Sequence, residues 1–432
     1  MNINARGCLA AIIALSAQAN AAPKWIIEIP APNKEIRSKI TDLGYAIDEV
    51  LSDKVFVLGG DADVKKLSES GYKVTPREYQ ERFEVFESFG PGLVYHSYQD
   101  VVRELENLSG LYPQLVSLES LGKSHENRDM TMIRISGMSK AAAQTSNAPV
   151  IMYMGCHHAR EHLSVEVPLM FAQYLAAEYA AGNAQIQDML NTREVYIAPI
   201  INPDGHTYDF VGPSSRGKMW RKNRRNNGRG SFGVDLNRNY GYGWNTGGSS
   251  SDPDSEIYMG PHAFSEPETQ AVKAFVDSQP RMTTMLSFHT FSELVLYPWG
   301  NSYDKIGQKD GDAKDLAVFE KMASNMSRWN NYTPQQSSEL YIASGDTTDW
   351  AYGAHRIIAF TFELSPKSMW DGGFYPGTRA IHPTFQANLK PMLYLLEYAD
   401  NPSRALSERV PSFDFTPARR GVPVASFQDL SL

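Results

Sequence analysis

Cysteine is nearly absent: the 432 residues include only Cys8 and Cys156. Cys8 belongs to an N-terminal apolar run, Cys8 to Leu15, that follows a lone Arg6 and leads into Ala19-Asn20-Ala21, the A-x-A pattern of a cleaved export signal. Residues 1–21 are therefore read as a signal peptide and set aside from the fold. No lipobox-like Leu stands three residues before Cys8, which argues against a lipid anchor. With the signal removed, Cys156 is alone, and no intramolecular disulfide can form even in an oxidising compartment. Also missing is any later stretch of the roughly 20 apolar residues that a spanning helix needs. A secreted or periplasmic protein without a membrane span is expected.

Positive charge is not in excess. Lys and Arg number 41 against 49 Asp and Glu, a net charge of -8 that becomes -9 once Arg6 is removed. The basic residues are scattered except between Arg221 and Arg229, so nucleic acid is not an expected partner. There is no internal repeat. With 42% hydrophobic and 21% charged residues the chain has an ordinary folded composition, long enough for one large domain and a smaller one.

Residues 22–88 read as a small α+β unit. Trp25 to Ile29 has strand character, Ile36, Ile40 and Leu43 keep helical spacing, and Tyr45 to Leu51 and Val55 to Leu58 are strand-like. A helical Asp61 to Ser70 and a strand around Tyr72 to Thr75 complete a βαββαβ order, the ferredoxin-like arrangement, in a segment of pro-region size. Phe89-Gly90-Pro91-Gly92 is turn chemistry and a linker. The main domain is expected over 89–400. It opens on a capping box, Ser97 to Asp100, followed by Val101, Val102, Leu105 and Leu108 at helical spacing. From there apolar strands alternate with helical segments, which predicts an α/β fold with a mixed, largely parallel central sheet flanked by helices. The tail, 401–432, shows no periodicity and is expected to be a flexible extension.

Four apolar strand candidates end in polar residues. Val150 to Met154 runs into Gly155 to Glu161, Glu194 to Ile201 into Asn202-Pro203-Asp204-Gly205, Met282 to Phe288 into His289, and Arg356 to Phe362 into Glu363. In an open α/β sheet ligands bind outside the carboxyl ends of the strands, so these ends should converge on one crevice. His158-x-x-Glu161 is by itself a weak metal signature. A third imidazole at another strand end strengthens it, because catalytic Zn²⁺ sites keep three protein ligands, and His158, Glu161 and His289 make a His2Glu set. Val167, Met170, Phe171, Tyr174 and Leu175 then keep helical spacing, so the pair stands where a strand hands over to a helix. His157 should point away from His158, although an exchange between the two stays open. His162 is not needed as a ligand and, like His157, reads as structural; His96, His125 and His355 have no spaced partner and read as packing or surface residues.

These motifs carry a resemblance. The stretch from Tyr95 to Asp400 resembles the zinc metallocarboxypeptidases of the carboxypeptidase A and B type: His158-Ala-Arg160-Glu161, Asn202-Pro-Asp-Gly205, Trp220-Arg221-Lys222, Gly233 to Asn239, Ser287-Phe-His289, Tyr341 to Gly345 and Thr361-Phe-Glu363-Leu364 occur in the family's order. The resemblance implies one catalytic Zn²⁺, Glu363 as general base and Arg221 on the scissile carbonyl and its oxyanion. It further implies that Asn237 and Arg238 grip a terminal carboxylate, that Tyr341 closes over the terminal residue, that Arg160 contacts the peptide further along, and that Asp235 orients His158. Peptide or protein C-termini are then the substrates, and a residues 22–88 pro-region implies an activating protease.

In the specificity pocket, Asp346 and Thr348 are similar to the bacterial carboxypeptidase T pattern, which implies acceptance of both hydrophobic and basic terminal residues. Phe291 departs from the tyrosine often found two residues after the third ligand. The alternative is a peptidoglycan peptide hydrolase on the same scaffold. A monomer is expected, and Ca²⁺ at the Ser- and Asp-rich segment from Ser249 to Glu256 competes with a simple solvated loop.

Overall fold

The computed structural model describes residues 23–79, 95–210 and 217–413; the signal peptide, the Phe89 to Gly92 linker and the end of the tail lie outside them. The N-terminal unit has the strands β1 (Trp25–Pro30), β2 (Glu49–Val50), β3 (Lys54–Gly59) and β4 (Thr75–Glu78), in the order β2-β3-β1-β4 with every pairing antiparallel. Helices Lys34–Asp42 and Asp61–Glu69 link them in βαββαβ order. The first helix begins at Asn33, whose side chain accepts the Ile36 amide at 2.9 Å. Ile27, Ile29, Ile40, Val55, Val57 and Leu67 give the unit its own core. Strand Tyr45 to Leu51 is shorter than its pattern suggests. Asp48 Oδ2 takes the Leu58 amide at 2.8 Å, so a side chain replaces the ladder there and regular pairing is confined to Glu49–Val50. The last strand lies a few residues later than Tyr72 to Thr75.

The main domain starts with helix Tyr98–Leu111, where Ser97 Oγ accepts the Asp100 amide at 3.2 Å and Asp100 returns a bond to Ser97 N. Its sheet is built from β5 (Val116–Lys123), β6 (Asp129–Ile135), β7 (Val150–Met154) and β8 (Glu194–Ala198). A separate ribbon, β9 (Asn226–Gly228) with β10 (Ser231–Phe232), intervenes before β11 (Met282–Thr290), β12 (Leu294–Tyr297), β13 (Thr333–Gln336) and β14 (Ile358–Leu364) complete the sheet. The order is β13-β12-β14-β11-β7-β8-β6-β5. Its centre, β14-β11-β7-β8, is parallel throughout; β12-β14, β8-β6 and β6-β5 are antiparallel, and the edge strand β13 joins β12 in parallel.

Strand β7 shows why these runs read as continuously apolar. Ile151 and Tyr153 enter one core with Phe171, Phe319 and Met392, while Val150, Met152 and Met154 enter a second with Val272 and Trp350. A central parallel strand is covered on both faces and has no polar side. The expected flexible extension needs correcting for its described part. Pro402–Leu406 is a 3₁₀ turn, Arg404 pairs with Asp400 at 2.6 Å, and Phe413 is buried with its ring 5.9 Å from Trp329. Apolar contact with the main domain holds residues 401–413.

His96, which has no sequence partner, meets a distant one. Glu166, buried in the first turn of helix Leu163–Ala180, accepts the His96 amide at 2.7 Å through Oε1 and lies 2.7 Å from His96 Nδ1 through Oε2. The Glu166 charge outweighs burial and raises this imidazole from 6.5 to about 9. Because the folded value is the higher one, the stabilisation is complete below the unfolded value and is lost as pH rises through the folded one. His96→Ala should therefore cost on the order of 3 kcal/mol at pH 6, with the gap to wild type closing as pH rises toward 9. Denaturant unfolding across that range measures it; a pH-independent gap would contradict the ion pair.

Candidate metal centre and its cleft

The first corner of the site is made by a turn that only glycine can enter. A Cβ on Gly155 would lie 1.9 Å from the Ser164 carbonyl oxygen and 2.8 Å from that of Pro199. Cys156 follows in the left-handed region, φ 53°, its amide bonded to Ser164 Oγ at 3.0 Å. The chain thus doubles back between the end of β7 and helix Leu163–Ala180, and His158 and Glu161 lie on this turn rather than on the helix. Asn202, at the next strand end, donates through Nδ2 to the His157 and Lys222 carbonyls, each at 3.1 Å, and so joins two of the converging loops. The parallel register of β11 and β14 does the rest: His289 is directly opposite Glu363.

His158, Glu161 and His289 are all buried, and their ligand atoms lie within 4.8 Å of one another. His158 Nδ1 is 2.7 Å from Glu161 Oε1, His289 Nδ1 is 2.9 Å from Glu161 Oε2, and the two Nδ1 atoms are 3.1 Å apart. The other ring nitrogens are engaged behind: His158 Nε2 with Asp235 Oδ1 at 3.0 Å and His289 Nε2 with Ser287 Oγ at 3.2 Å. Two imidazole nitrogens and a carboxylate aimed at one point, each imidazole held from its far side, fit a divalent cation of the Zn²⁺ type. Burial alone would raise the Glu161 carboxyl, but His158 and His289 pull it well below the usual range. His157 is not in this set: its Nε2 meets the Tyr240 hydroxyl at 2.9 Å, and burial with the neighbouring imidazoles keeps it neutral.

Arg221 donates through Nε and Nη2 to Asp235 Oδ2 at 3.0 and 2.9 Å, with Nη1 3.9 Å from Glu161. Burial disfavours its charge, yet Asp235 and Glu161 more than offset this and hold it protonated. Burial, and then the Glu161 charge, push the Glu363 carboxyl well up. These groups line one cavity of about 770 Å³ together with Asn237, Arg238, Tyr341, Asp346 and Thr348. Asn237 Oδ1 accepts the Thr347 amide and hydroxyl at 2.9 and 2.7 Å. Arg238 donates through Nε to the Gly248 carbonyl at 3.1 Å and through Nη1 to the Asn237 carbonyl at 2.9 Å. Asp346 caps helix Thr347–His355: its Oδ1 accepts the Thr348 and Asp349 amides at 2.8 and 2.9 Å and the Thr348 hydroxyl at 2.9 Å.

Arg160 is not among the cavity-lining residues. Its guanidinium is 4.2 Å from the Phe374 ring centroid, and Nη2 donates to Asp48 Oδ1 of the N-terminal unit at 2.7 Å. The basic stretch after Trp220 is anchored in the fold: Lys222 Nζ donates to the Pro253 and Ser255 carbonyls at 2.8 and 2.9 Å, and Arg224 stacks 3.7 Å over Tyr208. An ammonium group thus already meets carbonyls of the Ser249 to Glu256 loop. Among the described residues a second trio, His125, Glu266 and Glu268, also has metal-type ligands. There Arg225 donates to Glu266 at 2.9 Å and Asn223 to Glu266 and Glu268 at 2.8 and 3.1 Å, a polar network already supplied with cations and amides.

Sequence reasoning missed the pairing of Asp48 with Arg160 and of Asp209 with His162. Each joins residues 112 and 47 positions apart, respectively, with no local motif. Ser287 was in view only as part of a family motif, and a serine two residues before a ligand on a strand, hence on the same face, was the available signal.

A family model described as zinc carboxypeptidase matches residues 101–391. The chain is 32% identical over 418 residues to a zinc carboxypeptidase of Saccharothrix mutabilis subsp. capreolus, covering 91% of this chain and 94% of that one. It is 31% identical over 314 residues to carboxypeptidase A2 of Rattus norvegicus, covering 71% of each. Among solved structures, carboxypeptidase A from Helicoverpa armigera superposes with a TM-score of 0.72 at 22% identity, over 89% of this chain and 98% of that one, a likeness of fold.

Proposed function

Because the chain belongs to the zinc carboxypeptidase family, and so is a metallocarboxypeptidase acting on peptide C-termini, we propose that it is an exported enzyme releasing hydrophobic and basic C-terminal residues alike. The observation that carries this reading is the convergence, in one cavity, of the His158, Glu161 and His289 trio with Glu363 and the guanidinium groups of Arg221 and Arg238. Zn²⁺ held by the trio would supply a Lewis acid for the scissile carbonyl and lower the pKa of a water to near neutral.

The chain's own groups do the rest. Arg238 Nη2 and Asn237 Nδ2, which have no hydrogen-bond partner among the described residues, bind the terminal carboxylate, a planar fork suiting a planar anion. Tyr341 closes over the terminal side chain. Glu363, which lines the cavity beside the trio, accepts a proton from the attacking water and passes it to the leaving amine. Arg221, already ionised and fixed by Asp235, stands ready for the negative charge that develops on the carbonyl oxygen. Asp346 and Thr348 form the pocket floor that receives the terminal side chain. The terminal-carboxylate pair favours ordinary peptide ends over peptidoglycan peptides.

Residues 22–88 are proposed to be an inhibitory pro-region, removed by an activating protease between Arg77 and Gly92. Supporting this, Asp48 occupies Arg160, Asp48 to Ser52 line the cavity, and Glu49 Oε2 accepts the Met369 amide at 3.2 Å from the opposite wall.

Glu363→Gln should lower kcat by roughly 10²- to 10⁴-fold while zinc remains bound at one ion per chain; wild-type turnover would refute the mechanism. In a panel of C-terminal Phe, Leu, Lys and Arg peptides, wild type should cleave all four. Asp346→Ala should lower kcat/KM for Lys and Arg by about 10- to 100-fold, the loss of one charge-assisted bond, and spare Phe and Leu. Negligible wild-type turnover of Lys and Arg would sink dual specificity. Mass spectrometry of the exported protein should find an N-terminus at Ala22 and a later one beyond Arg77. Asp48→Ala should raise the activity of the longer form several-fold, and equal activity of long and short wild-type forms would overturn the inhibitory role.

A further inference from the structure

Asp209 ends the helix Pro203–Asp209, fully buried and outside the cleft. Its Oδ1 accepts the amides of Lys218 at 3.0 Å and Trp220 at 2.7 Å. Its Oδ2 accepts the Tyr375 hydroxyl at 2.8 Å and lies 2.9 Å from His162 Nε2. Tyr375 Oη in turn accepts the Met219 amide at 3.0 Å. Consecutive amides, those of Lys218, Met219 and Trp220, therefore all end on one carboxylate and on the phenol that it holds.

An extended strand points successive amides to opposite sides, so this arrangement requires a bend. Met219 supplies it in the left-handed region, φ 58°, a conformation that a non-glycine residue keeps only when its surroundings impose it. Gly217 lies against the Tyr375 ring, where a Cβ would come within 2.2 Å of Oη. Two residues after Met219 comes Arg221, whose carbonyl accepts the Ala159 amide at 3.0 Å. The Arg221 side chain is held at its tip by Asp235; the cradle holds the backbone from which it springs. His162, the fourth group on Asp209, meets it through a side chain at 2.9 Å, whereas the bend before Arg221 is held through its backbone amides.

We propose that Asp209 and Tyr375 are positioning residues for Arg221, setting the place of its guanidinium relative to the scissile carbonyl without touching substrate. This rests on the reading of Arg221 as the oxyanion-stabilising group. A buried carboxylate and phenol serving three backbone amides are costly to replace, since any apolar substitute leaves those amides unpaired. Neither lines the cleft that holds the terminal-carboxylate pair, Asn237 and Arg238, so their loss should act on turnover rather than on binding.

The test is steady-state kinetics on the zinc-loaded, processed enzyme for Tyr375→Phe and Asp209→Asn, each alone and combined with Arg221→Ala. Tyr375→Phe keeps the ring over Gly217 and removes only the hydroxyl, which accepts the Met219 amide and donates to Asp209, so it stays informative if Asp209→Asn folds poorly. Each single variant should lower kcat by about 10- to 100-fold, as a displaced catalytic group does, with KM and zinc content unchanged. In the Arg221→Ala background each should cost no more than about twofold, because the group they position is gone. Equal losses with and without Arg221, a loss that tracks zinc content, or wild-type kcat in Tyr375→Phe would overturn the inference. Wild-type kcat in Arg221→Ala itself would instead refute the reading beneath it.

Discussion

One buried anion organises the site. Asp235, fully enclosed, accepts through Oδ1 from Asn237 N at 2.9 Å and meets His158 Nε2 at 3.0 Å, while Oδ2 takes both Arg221 donors. Burial alone would raise this carboxyl; Arg221 first and then His158 pull it well below the usual range, so it is ionised. An unpartnered buried carboxylate would neutralise or destabilise the fold, and here the groups that prevent this are the ones the site uses. As an anion beside Nε2, Asp235 selects the His158 tautomer that leaves Nδ1 bare for a cation. By occupying one edge of Arg221 it also fixes the plane of the guanidinium. The Asn237 amide ties in the short turn that carries Asn237 and Arg238. The metal-type trio, Arg221 and the proposed carboxylate clamp thus share one reference point.

The second constraint is the sheet. Parallel pairing of β11 with β7 and β14 fixes the heights at which their ends stop, and the register of His289 opposite Glu363 needs no loop to maintain it. Sites on strands are more precise than sites on loops. The loop-borne groups are correspondingly tethered by side chains: Asn202 between two loops, Asp235 on Arg221, Asp209 and Tyr375 behind it. A buried polar frame of this kind holds only when every member is satisfied.

Much of this was legible in the sequence because its signals are local. Four apolar runs ending in polar residues follow directly from strands buried on both faces, and the capping box at Ser97 and Asp100 forms as its spacing says. His158 and Glu161 could be located because the turn between them is short. What stayed hidden depends on groups distant along the chain. The Asp209 and Tyr375 bond spans 166 positions, and neither residue sits in a periodic or metal-type pattern. The shortened strand at Asp48 was misread because a carboxylate, not a carbonyl, takes the Leu58 amide. The tail at Phe413 looked free because a single aromatic anchor leaves no periodicity to read.

The proposed pocket floor shows how a charge can be present without excluding apolar side chains. Asp346 Oδ1 is already shared among two amides and a hydroxyl at a helix N-terminus, where aligned peptide dipoles further offset its charge. Burial and the adjacent Asp346 both push the Asp349 carboxyl well up, and burial raises the Asp346 carboxyl too, so the pair does not carry two full charges. Its oxygens are occupied by the Gly300 and Asn301 amides at 2.8 to 3.0 Å. The floor therefore presents one partly neutralised anion. A Lys or Arg side chain entering it finds a counter-charge, while a Phe or Leu side chain need not desolvate a bare carboxylate, because Thr348 and the helix amides already solvate it. Under the dual specificity proposed for this enzyme, the breadth of the pocket comes from the three hydrogen bonds that Asp346 Oδ1 accepts before any substrate arrives.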